Sequence, residues 1–443
     1  MTVDLNIVNS KIFFDGRLLE GGISIDDGKI LKVGKETNLL KSSEKINANG
    51  SLLLPGLIDA HVHLRDMELT YKEDFYTGTC AAASGGFTTV LDMPNTRPIT
   101  DSPIRLKDKI RIAKSKIVVN TGFYTAFPSR IELFESTVKE GAIAFKANLL
   151  TSWSKLNLED DEVLGSALSE TSKLQRVVAV HAEDRSTVEA GEVKLREKGR
   201  CAPDDFSKAH SEEAEIKAVR RVLRILKKDN RVHFCHLSSP KSLDLINEAR
   251  KKNLKVTCEV TPHHLFLSEK NLKKLGGIAL TDPPLRSEES MRTLWEMSST
   301  GASDFVVSDH APHDLKEKMM ADVWETAVGF PGLETTLPLM LTRVVAGEFE
   351  LDRLVSLLSE KPASVYNLES KGKICNGYDA DLTLVNVKEA YKINPLTFYS
   401  KQKYSPFQDW NVKGKVLKTF VAGKLVFDDG EIVAKAGVGK IIR

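Results

Sequence analysis

Short apolar runs alternate with helix-period stretches through most of the middle of the chain. The runs are GLIDAHVHL (56–64), FTTVLDMP (87–94), KIVVNTGFY (116–124), AIAFKANLL (142–150), RVVAVHA (176–182), RVHFCHL (231–237), KVTCEVT (255–261) and DFVVSDH (304–310). Continuous apolar runs mark strands buried on both faces, whereas strict alternation marks strands with one wet face. Between them, PIRLKDKIRIAKS, SRIELFESTVKE and EEAEIKAVRRVLRILKKD space their apolar residues three and four apart, as a helix with one buried stripe does. Eight such strand–helix units predict an α/β fold, a closed (β/α)8 TIM-type barrel over 55–369, rather than an open doubly wound sheet. The ends read differently. Residues 1–54 and 370–443 hold short apolar stretches (IVNSKIFF, ADLTLVNV, KVLKTFVAGKLVF) broken by Gly, Asn and Asp turns, with D-G steps that suit hairpins. Together they predict a small composite β-sandwich domain, since chain ends commonly lie close together.

Composition adds exclusions. The 443 residues suffice for one large core and a smaller partner domain. Lys and Arg total 63 against 61 for Asp and Glu, a net charge of +2, which argues against binding nucleic acid. No apolar run nears the ~18 residues a membrane span needs, and MTVDLNIVNS lacks the basic and apolar regions of a signal peptide. The five cysteines are scattered without a C-x-x-C, so a cytoplasmic protein without disulfides is expected. Neither a G-x-G-x-x-G after a strand nor a Walker-type loop occurs, so nucleotide binding has no support.

Reactive side chains gather at the C-terminal ends of the predicted strands, the rim on which barrel enzymes build their sites. His61 and His63 end the first run and share a face by alternation, so both imidazoles can converge on one metal ion; they can equally be hydrogen-bonded core residues. His181 ends the fifth run, His236 the sixth and Asp309 the eighth. Each alone is compatible with a satisfied polar residue; their joint placement is not a routine feature of a core. Lys146 lies inside an apolar run. From the residue alone an ion pair or a snorkelling chain is preferred, and a lysine carbamate able to bridge two cations is the sharper alternative. His233 is assigned to packing, His263 and His264 to a structural or supporting pair, and His210, opening a charged stretch, to solvent.

The stretch PGLIDAHVHLRD resembles the opening of the amidohydrolase superfamily. With LDMPNT, KANL, HAED, HLSSP, CEVTPHHLFL, TDPPLR, ASDHAPH and GFPGLETTLPLML in order over about 53–340, and GYDADLTLVN and KYSPFQDW beyond, the chain is similar to the dihydroorotases in particular. That resemblance implies two zinc ions per chain. His61 and His63 would hold the first with Asp309, and His181 and His236 the second. Lys146, carboxylated by carbon dioxide, would bridge them. It implies Asp309 as general base and acid, and Arg65, Asn95 and His313 as contacts of the substrate carboxylate. Ser152 and Trp153 fall where the family has a mobile lid. The implied reaction interconverts N-carbamoyl-L-aspartate and L-dihydroorotate, a step of de novo pyrimidine (UMP) synthesis. A homodimer or an association with a transcarbamoylase remains open. The sequence departs from the family pattern at Asp282, where relatives commonly carry Asn, and Asp282 is left out of the binding set. Two rivals stand beside this reading: another cyclic amidase such as an allantoinase or hydantoinase, and an inactive scaffold.

Overall fold

The structure is a computed structural model that describes residues 2–443. Four strands open the chain: β1 (Thr2–Phe14), β2 (Arg17–Asp26), β3 (Lys29–Gly34) and β4 (Lys41–Pro55). The D-G steps between them are hairpin turns in which Asp15, Gly16, Asp27 and Gly28 all have φ between 45° and 72°. A two-residue turn matched to the strand twist requires that backbone, which Asp tolerates and Gly adopts freely.

The barrel follows as β5 (Leu57–Val62), β6 (Phe87–Asp92), β7 (Asn120–Ala126), β8 (Ala142–Asn148), β9 (Val178–His181), β10 (Arg231–Phe234), β11 (Lys255–Val260) and β12 (Phe305–Val306). Consecutive strands pair in parallel from β5 to β12. The circle closes through a parallel bridge between Val62 and His310 and the His63 N–H donating to the His310 carbonyl at 2.8 Å. Every residue of β5, β6, β7 and β8 is buried, as a parallel sheet walled on both faces demands. Helix starts follow local chemistry: Ser102 caps Pro103–Lys114 and Asp160 caps Asp161–Lys173, each accepting backbone N–H groups of the first turn.

The tail contributes β13 (Leu382–Lys392), β14 (Asn411–Val421), β15 (Lys424–Asp428) and β16 (Glu431–Ile432). These join the opening strands in one eight-stranded sheet ordered β16-β15-β14-β13-β4-β1-β2-β3. Ile7, Ile23, Leu53, Leu382 and Phe420 belong to a small apolar core of this sheet. Two parts of the tail leave it for the barrel. The last strand, β17 (Ile441–Ile442), adds in parallel to β7, with Ile441 opposite Thr121. The stretch around Ser400–Tyr404 lies over the barrel mouth, where Gln402 Nε2 donates to the carbonyls of Tyr71 and Lys72 at 3.1 Å. We propose the division into 1–54 with 370–443 and 55–369 with these two segments of the tail counted on the barrel.

Candidate active site

The strand ends bring His61, His63, Lys146, His181, His236 and Asp309 into the wall of one cavity of about 190 Å³, together with Arg65, Asn95, Trp153 and His313. His61 and His63 come off β5 with ring centroids 5.2 Å apart. Asp309 Oδ1 lies 3.2 Å from His63 Nε2 and 3.6 Å from His61 Nε2. Across the cavity, His181 Nδ1 sits 3.2 Å from His236 Nε2. His236 and Asp309 both have left-handed backbone, φ 32° and 47°, a conformation uncommon outside Gly that the surrounding hydrogen bonds must hold.

The outer nitrogens of these rings are occupied. His61 Nδ1 donates to Glu259, His63 Nδ1 to Asn95 Oδ1 at 2.6 Å, and His181 Nε2 to Glu183 Oε2 at 2.8 Å. A neutral imidazole that donates from one nitrogen keeps a lone pair on the other. Three lone pairs therefore face inward, toward Asp309 or toward the neighbouring ring. His236 Nδ1 is buried with no hydrogen-bond partner among the described residues. Lys146 is 2% exposed, and its Nζ meets Cys235 Sγ at 2.9 Å. Its hydrogen-bond partner among the described residues is that thiol and not a carboxylate, so the ion pair preferred from the residue alone is not formed.

Ionisation at three of these positions fits a cation. Burial pushes His63 down to about 4 and holds His236 well below its usual range, while Asp282 and Glu183 outweigh burial at His181 and raise it. Burial alone would raise Asp309, but His61, His63 and His236 outweigh it and hold its carboxyl well below the usual range. Neutral imidazoles and an ionised carboxylate are the forms that bind metal. The donor set of N and O atoms suits zinc, and the residues present fit the metal that the fold implies.

Buried acids hold the rim in place. Asp59, which burial pushes up to about 7, accepts from the N–H of His61 at 3.0 Å and of Ser308 at 2.9 Å, joining the first and last strands at their seam. Glu259 also accepts from His233 Nε2 at 2.8 Å. His233, assigned to packing above, is thus linked through Glu259 to His61. Glu259 escaped the sequence reading, although a Glu inside the apolar run KVTCEVT is the kind of buried charge that asks for partners. His210 is a correction. It is 5% exposed, stacked on Phe206 at 3.9 Å, with Nδ1 3.2 Å from Glu183 and 3.1 Å from Asp282. Burial opposes its charge, but those two acids raise it to about 10. The Asp282 side chain lines the cavity, and His210 supplies the neighbouring cation that an acid there calls for.

The other end of the cavity is cationic. Arg65 is buried with φ 56°, its Nη2 2.9 Å from His313 Nε2. It does not pair with Asp66, whose carboxylate is taken by Lys116 at 2.8 Å and by the Phe75 N–H at 2.9 Å. Burial and the Arg65 charge push His313 down to about 3. In the loop after β8, Trp153 faces the cavity. Ser152 is exposed instead and donates to the Ser154 carbonyl at 2.7 Å. His263 and His264 pack together behind the rim with centroids 4.5 Å apart.

The amidohydrolase family description matches residues 52–426. The chain belongs to the amidohydrolase family. It is accordingly an amide hydrolase of a metal-dependent family, with clusters of side chains able to hold ions. Among similar proteins, the dihydroorotase of Methanothermobacter thermautotrophicus is 38% identical over 437 residues, covering 98% of this chain and 96% of its own length. The dihydroorotase of Bacillus cytotoxicus is 34% identical, with 93% and 95% covered. Among solved structures, the L-hydantoinase (dihydropyrimidinase) of Arthrobacter aurescens matches with a TM-score of 0.95 at 30% identity, covering 99% of both chains.

Proposed function

We propose that the chain is a dihydroorotase, converting N-carbamoyl-L-aspartate to L-dihydroorotate with loss of water and back. One observation carries this choice: Arg65 and His313 face each other at 2.9 Å at the end of the cavity away from the histidine cluster. A guanidinium fork beside an imidazole suits a carboxylate. The dihydroorotate ring bears one; a simple hydantoin ring does not. The relatives named dihydroorotase, 38% and 34% identical, support the same substrate, while the hydantoinase likeness supports the wider class of cyclic amides.

We infer two zinc ions per chain. His61, His63 and Asp309 would hold one, His181 and His236 the other, and Lys146 would bridge them once its amine has added carbon dioxide and released a proton. Bound there, the ions would polarise the ring amide carbonyl and make a water acidic enough to attack near neutral pH. Arg65, His313 and the Asn95 amide nitrogen, whose Oδ1 is engaged by His63, hold the carboxylate and aim the ring carbonyl at the histidine cluster. Asp309, ionised, accepts a proton from the attacking water and passes it to the ring nitrogen as the C–N bond breaks, acting first as base and then as acid. Trp153 would shield the ring from bulk water as part of a lid. Five free cysteines support a reducing, cytosolic setting.

The test is a side-by-side assay of the purified protein with dihydroorotate, allantoin and hydantoin, with metal analysis of the same sample. Turnover of dihydroorotate alone, with two zinc ions per chain, is the expected result. Turnover of hydantoin or allantoin without dihydroorotate overturns the substrate, and an inactive protein without metal overturns the enzyme reading.

A further inference from the structure

Lys72 stands at the carboxylate end of the cavity and takes no part in the steps above. Its Nζ lies 2.9 Å from His313 Nδ1 and 2.9 Å from Glu317 Oε1. An ammonium has three N–H donors and no lone pair. With Lys72 anchored by its ion pair to Glu317, His313 Nδ1 is taken as the acceptor, which leaves the single ring proton of the neutral imidazole on Nε2. That nitrogen faces Arg65 Nη2, another group with donors only, at 2.9 Å. Neither donor can satisfy the other; a carboxylate oxygen in front of both could accept from each.

We propose that Lys72 is a positioning residue for the carboxylate subsite: it locks His313 in the tautomer that presents an Nε2–H donor to the substrate. The identity of that substrate rests on the dihydroorotase reading; the tautomer itself does not.

Among the described residues, Nδ1 has no other partner within hydrogen-bond reach. Glu317 Oε2 is 3.7 Å away, beyond hydrogen-bond reach, and accepts the Asp314 N–H at 3.1 Å. Glu317 Oε1 is shared by Lys72 and the Tyr71 hydroxyl, the latter at 3.1 Å. From the tail, the Tyr404 hydroxyl donates to the His313 carbonyl at 2.9 Å and fixes the backbone that carries the ring. Burial and the charges of Arg65, Lys72 and Lys318 hold the imidazole near 3 against the pull of Glu317. The ring thus stays neutral at working pH, and a neutral ring has a tautomer to choose.

Long-range proton–nitrogen NMR on the purified protein with nitrogen-15 histidine reads the tautomer directly. A single Nε2–H form of His313 is expected between about pH 6 and 9, a range that spans the titration of a free imidazole. In Lys72→Met the same ring should show mixed tautomers while staying neutral, because burial and Arg65 still hold its pKa down. The KM for N-carbamoyl-L-aspartate should rise about tenfold at pH near ~8.5, more than kcat falls. Lys72→Arg, which keeps a donor toward Nδ1, should restore KM. An Nδ1–H tautomer in the unaltered protein, or an unchanged single Nε2–H ring in Lys72→Met, overturns the proposal. If Lys72→Met fails to fold, the unaltered protein decides alone. Failure to turn over dihydroorotate beside an Nε2–H ring would sink the functional reading and leave the lock standing.

Discussion

The two ends of the cavity are built by different means. At the histidine end three of the side chains sit within strands: His61 in β5, Lys146 in β8 and His181 closing β9. Barrel geometry aims them, and buried acids such as Glu259 and Asp59 hold them. At the carboxylate end, Arg65, Asn95 and His313 sit on loops. They are braced by groups from distant parts of the chain: Lys72 on His313, and Tyr404 from the tail. The histidine end thus belongs to the scaffold; the TM-score of 0.95 to a hydantoinase, over 99% of both chains, is a likeness of fold. The recognition end belongs to loops, which can change without disturbing the barrel.

Substitutions at the two ends should separate along the same line. Asp309→Asn would remove the proposed base and one proposed ligand, and kcat should fall by about 10⁴; activity within tenfold of the parent would remove Asp309 from that role. Lys146→Ala should lower kcat on the order of 10³ and strip bound metal, with part of both returning when short carboxylic acids are added. Metal retained at full occupancy with normal turnover would exclude a bridging role. Arg65→Met should instead leave metal content unchanged and raise KM for dihydroorotate about 100-fold, as expected when one partner of a buried charge pair is lost; an unchanged KM would break the distinction between the ends. Glu259→Gln should weaken metal binding by about 10- to 100-fold, read by titration with a chelator, while KM moves little.

Legibility in the sequence follows the same division. The eight barrel strands could be read because walls buried on both faces leave continuous apolar runs, and the rim histidines because strand periodicity places them. His210 could not. Its neighbours in SEEAEIK are charged and look solvated, yet the short helix Pro203–Ala209 ends on it, and the ring folds back onto Phe206 between two acids from other loops. Its burial is a long-range fact with no local signature. Glu259 and Lys72 were passed over because their partners lie far along the chain or in loops. The tail was read as strands of the terminal sheet throughout. The runs that cross to the barrel, around Ser400–Tyr404 and at β17, are too short and irregular to carry a period.

The sheet made from both termini has a consequence for synthesis. β4 pairs with β1 on one side and with β13 on the other. During translation its second edge emerges with the first residues and stays open while more than three hundred residues are made. At about 5–20 residues per second that is at least about 15 s of bare strand edge on the ribosome. The N-terminal strands must therefore wait, shielded or chaperoned, for the last part of the message before their hydrogen bonds are complete.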